Sequence, residues 1–332
     1  MKRIGFGLTG ESTRLLSIRD LIPYVQKAEK CGFESVWMAE DYFYRNAILS
    51  LATFALATDK IKLATGIINP YTRDPVLIAM TFANLDEISQ KRAIIGLGSS
   101  LRLRIYEHHY RKVSNLTAMK ECIEIISELL RGKKVTYAGS VFKIENIRLG
   151  VKPPRANIPV YIGAMGPKML QLAGEIADGV LLTAGTTREY VRFAVENIKN
   201  GAKRTGRKPE DVDVASFVIF SVSEDPRVAE ENIKREIAFL VTLPAMDHVL
   251  RASYLLDTEN VRTIRRLGQK GEMGKAAEHV SEDLTNSLAV CGRPQECLEK
   301  LEELRSSGLK LPIIVPIGKK DNLKMALDLF AK

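Results

Sequence analysis

Thr65-Gly66-Ile67-Ile68-Asn69-Pro70-Tyr71-Thr72-Arg73-Asp74-Pro75 ends an apolar run on a glycine and then turns polar. The run from Ile61 to Ile68 reads as a buried strand. In (β/α)8 barrels the working groups sit at the C-terminal strand ends and in the loops that follow, so this stretch reads as the edge of a ligand site. Gly66 tolerates backbone geometry closed to other residues.

Working outward, the same alternation of short apolar strand and amphipathic helix runs through the chain. The strands are Ile4-Leu8, Ser35-Ala39, Ile61-Ile68, Ala93-Leu97, Val160-Gly163, Gly179-Thr183, Val212-Ser221 and Ile313-Pro316. Between them, sets such as Leu21, Val25 and Ala28, or Ile123, Ile126, Leu129 and Leu130, recur at helical spacing and give each helix one apolar face. Strand, helix, strand in repetition implies parallel pairing with right-handed crossovers. Eight such units favour an α/β fold of the closed (β/α)8 TIM-barrel type over a doubly wound sheet. Two stretches break the rhythm and read as insertions. Lys133 to Arg148 reads as a hairpin, Lys134-Tyr137 and Val141-Ile144 flanking Ala138-Gly139-Ser140. A helical segment of about 243–285 follows the seventh strand on the ligand side, as a lid, an oligomer contact or a plain decoration. With no linker or repeat, residues 1–332 read as a single domain.

Length and composition bound the function. The chain has 332 residues, 45% hydrophobic and 27% charged, with no run near the ~20 apolar residues that cross a bilayer. Met1-Lys2-Arg3-Ile4-Gly5-Phe6 enters a strand directly, without the apolar segment of a signal peptide, so a cytoplasmic protein without a membrane partner is expected. Cys31, Cys122, Cys291 and Cys297 form no C-x-x-C pair and read as reduced core thiols, and no metal is expected. The net charge of +9 is scattered along helices, as at Lys199, Lys203, Arg204, Arg207 and Lys208, and carries no nucleic-acid motif. In Gly163-Ala164-Met165-Gly166-Pro167-Lys168 a strand ends in small residues and a helix starts at a proline. That leaves backbone N–H groups and a positive dipole end for an anion such as a cofactor phosphate, with Lys168 adding charge; a tight turn without a ligand is the alternative.

In this order and at these spacings, five pieces resemble the luciferase-like flavin and deazaflavin oxidoreductases, within them the methylenetetrahydromethanopterin reductase branch. They are Gly32-Phe33-Glu34-Ser35-Val36-Trp37, Thr65 to Pro75, Leu85-Asp86-Glu87-Ile88-Ser89, Pro159 to Leu170, and Leu172 to Val180. The resemblance spans most of the chain. It implies hydride transfer between coenzyme F420 and a small organic substrate. It places the cofactor phosphate at Gly163, Ala164, Met165, Gly166, Pro167 and Lys168. The cofactor ring falls against a non-proline cis peptide at Gly66-Ile67, with Ile68, Gly96, Gly98 and Thr183 nearby. Glu40 matches the family's usual Asp and Asp41 falls where many members carry His, so either carboxylate could meet the ring's polar edge or act in catalysis. A homodimer or homotetramer is implied as well, with the helical segment offering an apolar surface.

The departures weigh as much. The reductase branch carries an acid in its first strand, where this chain has Phe6 and Gly7, and another after the fourth-strand glycines, at or beside Leu101. Met165 stands for a glutamine. The resemblance therefore implies the scaffold and the cofactor more firmly than the pterin substrate. Glu11, in the loop Thr9-Gly10-Glu11-Ser12-Thr13, is a replacement acid candidate, and His108 and His109 are candidates for acid and base. Two other readings stay open: an FMN-dependent monooxygenase of the same superfamily, and a cofactor-binding paralogue without turnover.

Overall fold

The computed structural model describes residues 3–41, 43–99 and 113–331. Its strands are β1 (Gly5–Leu8), β2 (Ser35–Met38), β3 (Lys62–Thr65), β4 (Ala93–Leu97), β5 (Val135–Ala138), β6 (Lys143–Ile147), β7 (Val160–Gly163), β8 (Gly179–Leu182), β9 (Asp213–Val222), β10 (Ala289–Gly292) and β11 (Leu311–Pro316). The helices of the first half are α1 (Ile18–Lys30), α2 (Ala47–Ala57), α3 (Pro75–Ile88), α4 (Asn115–Leu130), α5 (Pro167–Ile176) and α6 (Arg188–Arg204). The second half adds α7 (Pro226–Thr242), α8 (Asp247–Ala252), α9 (Glu259–Gln269), α10 (Met273–Glu278), α11 (Glu282–Leu288), α12 (Pro294–Ser306) and α13 (Lys320–Asp328).

Parallel pairing runs β1-β2-β3-β4-β7-β8-β9-β11 and returns to β1, which closes a (β/α)8 barrel from the eight expected strands. Alternation sorts the side chains. Trp37, Ala64, Ile94, Tyr161, Leu181, Phe217 and Val315 fill the inside, while Val36, Leu63, Ile95, Ile162 and Val180 pack outward under the helices. Each such large apolar side chain, once buried, contributes about 1.5 to 3 kcal/mol. The same alternation decides β1: Phe6 points outward to Phe33, whereas a Cβ at Gly7 would point inward at Val315 and Phe217.

Three details differ from the pattern in the sequence. β9 overshoots β8, and its upper residues Ile219 to Val222 pair instead with β10, a strand that the sequence reading did not include. β3 stops at Thr65, and the chain rejoins the sheet only through a bridge between Ile68 and Leu97. In the hairpin, strand pairing skips residues 139–142, because the buried Glu121 carboxylate of α4 accepts the N–H groups of Ser140, Val141 and Phe142 at 2.7 to 3.0 Å.

Burial alone would raise the Glu121 carboxyl, but those three N–H donors outweigh it and hold the group below the usual carboxylate range. A depressed folded value contributes stability above the unfolded pKa of about 4.3, and that contribution disappears as pH falls through the folded value. The stability gap between the wild type and Glu121→Gln should therefore narrow below about pH 4. Melting temperatures of both proteins across pH 3 to 7 check this; a constant gap would contradict it.

The segment after α7 forms α8 to α11, helical as expected, but its apolar side chains pack against α7 and one another. Among the described residues Tyr254 is the large apolar side chain that it exposes, so the apolar surface expected there is absent. Exposed leucines lie instead on α2, at Leu49 and Leu56, and Met80 and Ile88 follow on α3. All four cysteines are buried and unpaired; burial pushes the Cys291 thiol up to about 11, which keeps it protonated and unreactive. No described helix is long and apolar enough to cross a membrane.

Candidate active site

A cavity of about 920 Å³ opens at the C-terminal ends of the barrel strands, at the upper end of the range for ligand sites. Its floor is apolar. The Gly66-Ile67 peptide is cis, as the resemblance implied. Ile67 lies across the barrel so closely that a Cβ on Gly98 would come within 2.9 Å of its side chain, and one on Gly163 within 3.1 Å. Beneath, the Phe217 ring reaches from β9 toward β1 and β3: it would be 2.5 Å from a Cβ on Gly66 and 3.0 Å from one on Gly7. Gly7, Gly66, Gly98 and Gly163 thus leave the space that Ile67 and Phe217 occupy, and Leu181 completes the surface.

Two expected site residues lie elsewhere. Ile68 is 1% exposed and belongs to the outer core, and it does not line the cavity. Gly96 is also outside the lining: a Cβ there would sit 1.8 Å from the Thr65 carbonyl oxygen, and the Thr65 hydroxyl bonds both the N–H and the C=O of Gly96 at 2.9 Å. Its role is the close approach of β4 to β3.

One wall is the β7-to-α5 turn. Gly163, Ala164, Met165, Gly166, Pro167 and Lys168 all line it, and Thr183 borders it from the end of β8. Gly166 is the N-cap of α5 and offers no side chain to its first-turn N–H groups, which stay open to an anion. The buried Tyr190 hydroxyl donates to the Met165 carbonyl at 2.8 Å and fixes the turn, and burial pushes that phenol up, so it stays a donor. Arg235 of α7 and His248 of α8 also line the cavity, and His248 packs against the turn: its Nε2 would be 3.1 Å from a Cβ on Gly166. A 2.6 Å bond between the hydroxyls of Ser253 and Thr187 ties the end of α8 to the N-cap of α6.

The acids form the other wall, and each is engaged. Glu40 receives Arg73 through Nη2 at 2.8 Å and Nε at 3.3 Å. Asp41 accepts the Gly10 N–H at 2.8 Å and anchors the first loop. Glu11 accepts from the Tyr44 hydroxyl at 3.2 Å, with Arg14 3.7 Å away. His108, His109 and Leu101 lie outside the described residues.

The family described as luciferase-like monooxygenase matches residues 3–311. The chain belongs to that family. It is 35% identical over 311 residues to the 5,10-methylenetetrahydromethanopterin reductase of Methanolobus tindarius, covering 93% of each chain. It is 33% identical to the enzyme of that name from Archaeoglobus fulgidus, covering 91% of this chain and 92% of that one. Among solved structures, the coenzyme F420-dependent tetrahydromethanopterin reductase of Methanopyrus kandleri superposes with a TM-score of 0.89 at 33% identity, over 99% of this chain and 96% of that one.

Within this site, Arg73, Phe217, His248 and Arg235 are among the lining or supporting residues that the sequence reading did not assign. Arg73 stood in the opening stretch, but nothing local says which carboxylate it meets. Phe217 could have been found, since Ala215, Phe217 and Ile219 alternate along one strand and one of the two faces must point into the barrel. His248 reaches the cavity because the insertion folds back over it, and Arg235 lines it from α7, the helix that precedes the insertion.

Proposed function

We propose that the chain is a coenzyme F420-dependent oxidoreductase that moves hydride between the deazaflavin and a small organic substrate. The observation that carries this reading is the full-length likeness to the Methanopyrus kandleri F420-dependent reductase, together with a cavity whose walls suit the cofactor's parts. The open N–H groups of Gly166, Lys168 and Met169 and the Lys168 ammonium would hold the phosphate. Ile67, Phe217 and Leu181 offer an apolar surface to a ring, and Glu40 offers an acceptor to its polar edge. When bound, the cofactor supplies the hydride chemistry, and the protein contributes binding, orientation and exclusion of water.

The pterin itself is not part of this reading. The relatives' names include methylenetetrahydromethanopterin, but here the inward position of β1 is Gly7, which brings no acid to the floor. A homo-oligomer is supported by the exposed leucines of α2.

Anaerobic titration of the purified protein with oxidised F420 and, separately, FMN tests the cofactor. Binding of F420 at micromolar concentration or tighter, with FMN much weaker, is expected; preference for FMN would favour the monooxygenase reading. Lys168→Glu reverses a charge beside the phosphate turn and should weaken F420 binding by about tenfold or more, equivalent to about 1.4 kcal/mol. An unchanged Kd would remove Lys168 from the site.

A further inference from the structure

We infer that Arg73 is a positioning residue that acts on the cavity through Glu40. This rests on the cofactor reading above and adds a residue to it. Glu40 lines the cavity and Arg73 does not, so a ligand meets only the carboxylate. Arg73 grips it from behind: Nη2 meets Oε1 at 2.8 Å and Nε meets Oε2 at 3.3 Å, a two-pronged contact that fixes the plane of the carboxylate as well as its place. Each side chain of the pair is only 19% exposed, so water screens the contact weakly. The Asn46 amide of the α2 N-cap adds a longer contact to Oε1 at 3.4 Å.

The loop that carries Arg73 is itself built to hold it. The Asn69 side-chain oxygen accepts the N–H groups of Tyr71 and Thr72 at 3.0 Å, which shapes the turn before Arg73. On the other side, Asp74 caps α3 by accepting from the N–H groups of Val76 and Leu77. Arg73 therefore sits between two side-chain-made turns and arrives at Glu40 already oriented.

Two consequences follow for the ligand. Oε1 accepts from both the guanidinium and the Asn46 amide, whereas Oε2 accepts from Arg73 Nε and keeps a second acceptor direction, so toward the cavity Glu40 presents Oε2 as a fixed acceptor to an N–H or O–H edge of the bound ring. It acts there as an acceptor and not as the proton donor that the missing family acids would have supplied. Arg73 also offsets the charge of Glu40, which would otherwise repel an anionic cofactor at close range.

The test is a double-mutant cycle on F420 binding in the full chain. Oxidised F420 is the probe, Arg73→Gln and Glu40→Gln are the variants, and Arg73→Lys is the conservative control. Arg73→Gln is expected to raise the Kd about tenfold in the wild-type background and less than twofold in Glu40→Gln. It should also change the absorbance spectrum of bound F420, because the ring's acceptor has moved. Arg73→Lys keeps the charge but loses the two-pronged grip, and should recover part of the affinity with a spectrum still displaced. Equal losses in both backgrounds, or a bound spectrum identical to wild type in Arg73→Gln and Arg73→Lys, would overturn the proposal. If Arg73→Gln does not fold, as judged by circular dichroism, the Arg73→Lys spectrum decides. Failure of the wild type to bind F420 would instead count against the cofactor reading.

Discussion

Gly7→Glu, which places an acid at the inward position of the first strand, is expected to destabilise the protein severely and to leave the cavity floor without a usable carboxylate. The Cβ alone would lie 2.7 Å from Val315 Cγ2 and 3.0 Å from two carbons of the Phe217 ring. Overpacking of this kind costs about 1 to 3 kcal/mol, and a carboxylate buried among apolar neighbours without a partner adds several kcal/mol more. Phe217 cannot simply retreat, since the far side of its ring is already against Gly66. Denaturant unfolding of Gly7→Glu measures the loss. The partner experiment is Phe217→Ala, expected to cost about 3 to 5 kcal/mol alone. Combined with Gly7→Glu it should cost clearly less than the sum, because removal of the ring frees the space the new side chain needs. Strict additivity would mean that the two positions do not compete for one volume. Coupling would show that the glycine of strand one and the aromatic floor are one structural choice.

The second large effect lies at the other end of the barrel. Asp86 is fully buried, and it accepts two bonds from Arg155 Nε, at 3.0 and 3.1 Å, and one from Nη2 at 2.8 Å. It also accepts the Ala93 N–H at 3.2 Å, while Arg155 donates to the Ala93 carbonyl at 2.6 Å, so the pair clamps the first residue of β4. Asp86→Ala should cost about 3 kcal/mol or somewhat more, near the lower end for breaking a buried pair, because Arg155 retains some access to water. Equilibrium unfolding checks the size. F420 affinity, measured well below the melting temperature, should stay within about twofold of wild type, since stability resides at the bottom of such barrels and ligand chemistry at the top. A large loss of affinity in protein that remains folded would break that separation.

Much of this arrangement was legible beforehand. All eight barrel strands were present as short apolar runs, because a strand covered on both faces cannot hide its composition. The β7-to-α5 turn that lines the cavity was legible for a local reason too: small residues, a proline at the first helical position and a lysine lie within six residues of one another. The failures were of a different kind. Ile68 and Gly96 were placed near the ring by the resemblance, yet neither lines the cavity: Ile68 packs into the outer core, and Gly96 serves the close approach of β4 to β3. The strand β10 was missed because its four residues have a place only once β9 overshoots β8.

The sequence by itself determined the class of fold, the end of the barrel that holds the cavity and the open helix start at Gly166 that lines it, because each is written in periodicity and residue type over short distances. Only the tertiary structure decided which charges and volumes meet. Arg73 reaches Glu40 across 33 residues, Phe217 takes the space that Gly7 and Gly66 leave, and His248 comes to Gly166 from an insertion. Contacts of that kind depend on barrel closure and on how one loop packs against another, and no local pattern in the chain encodes the distance between them.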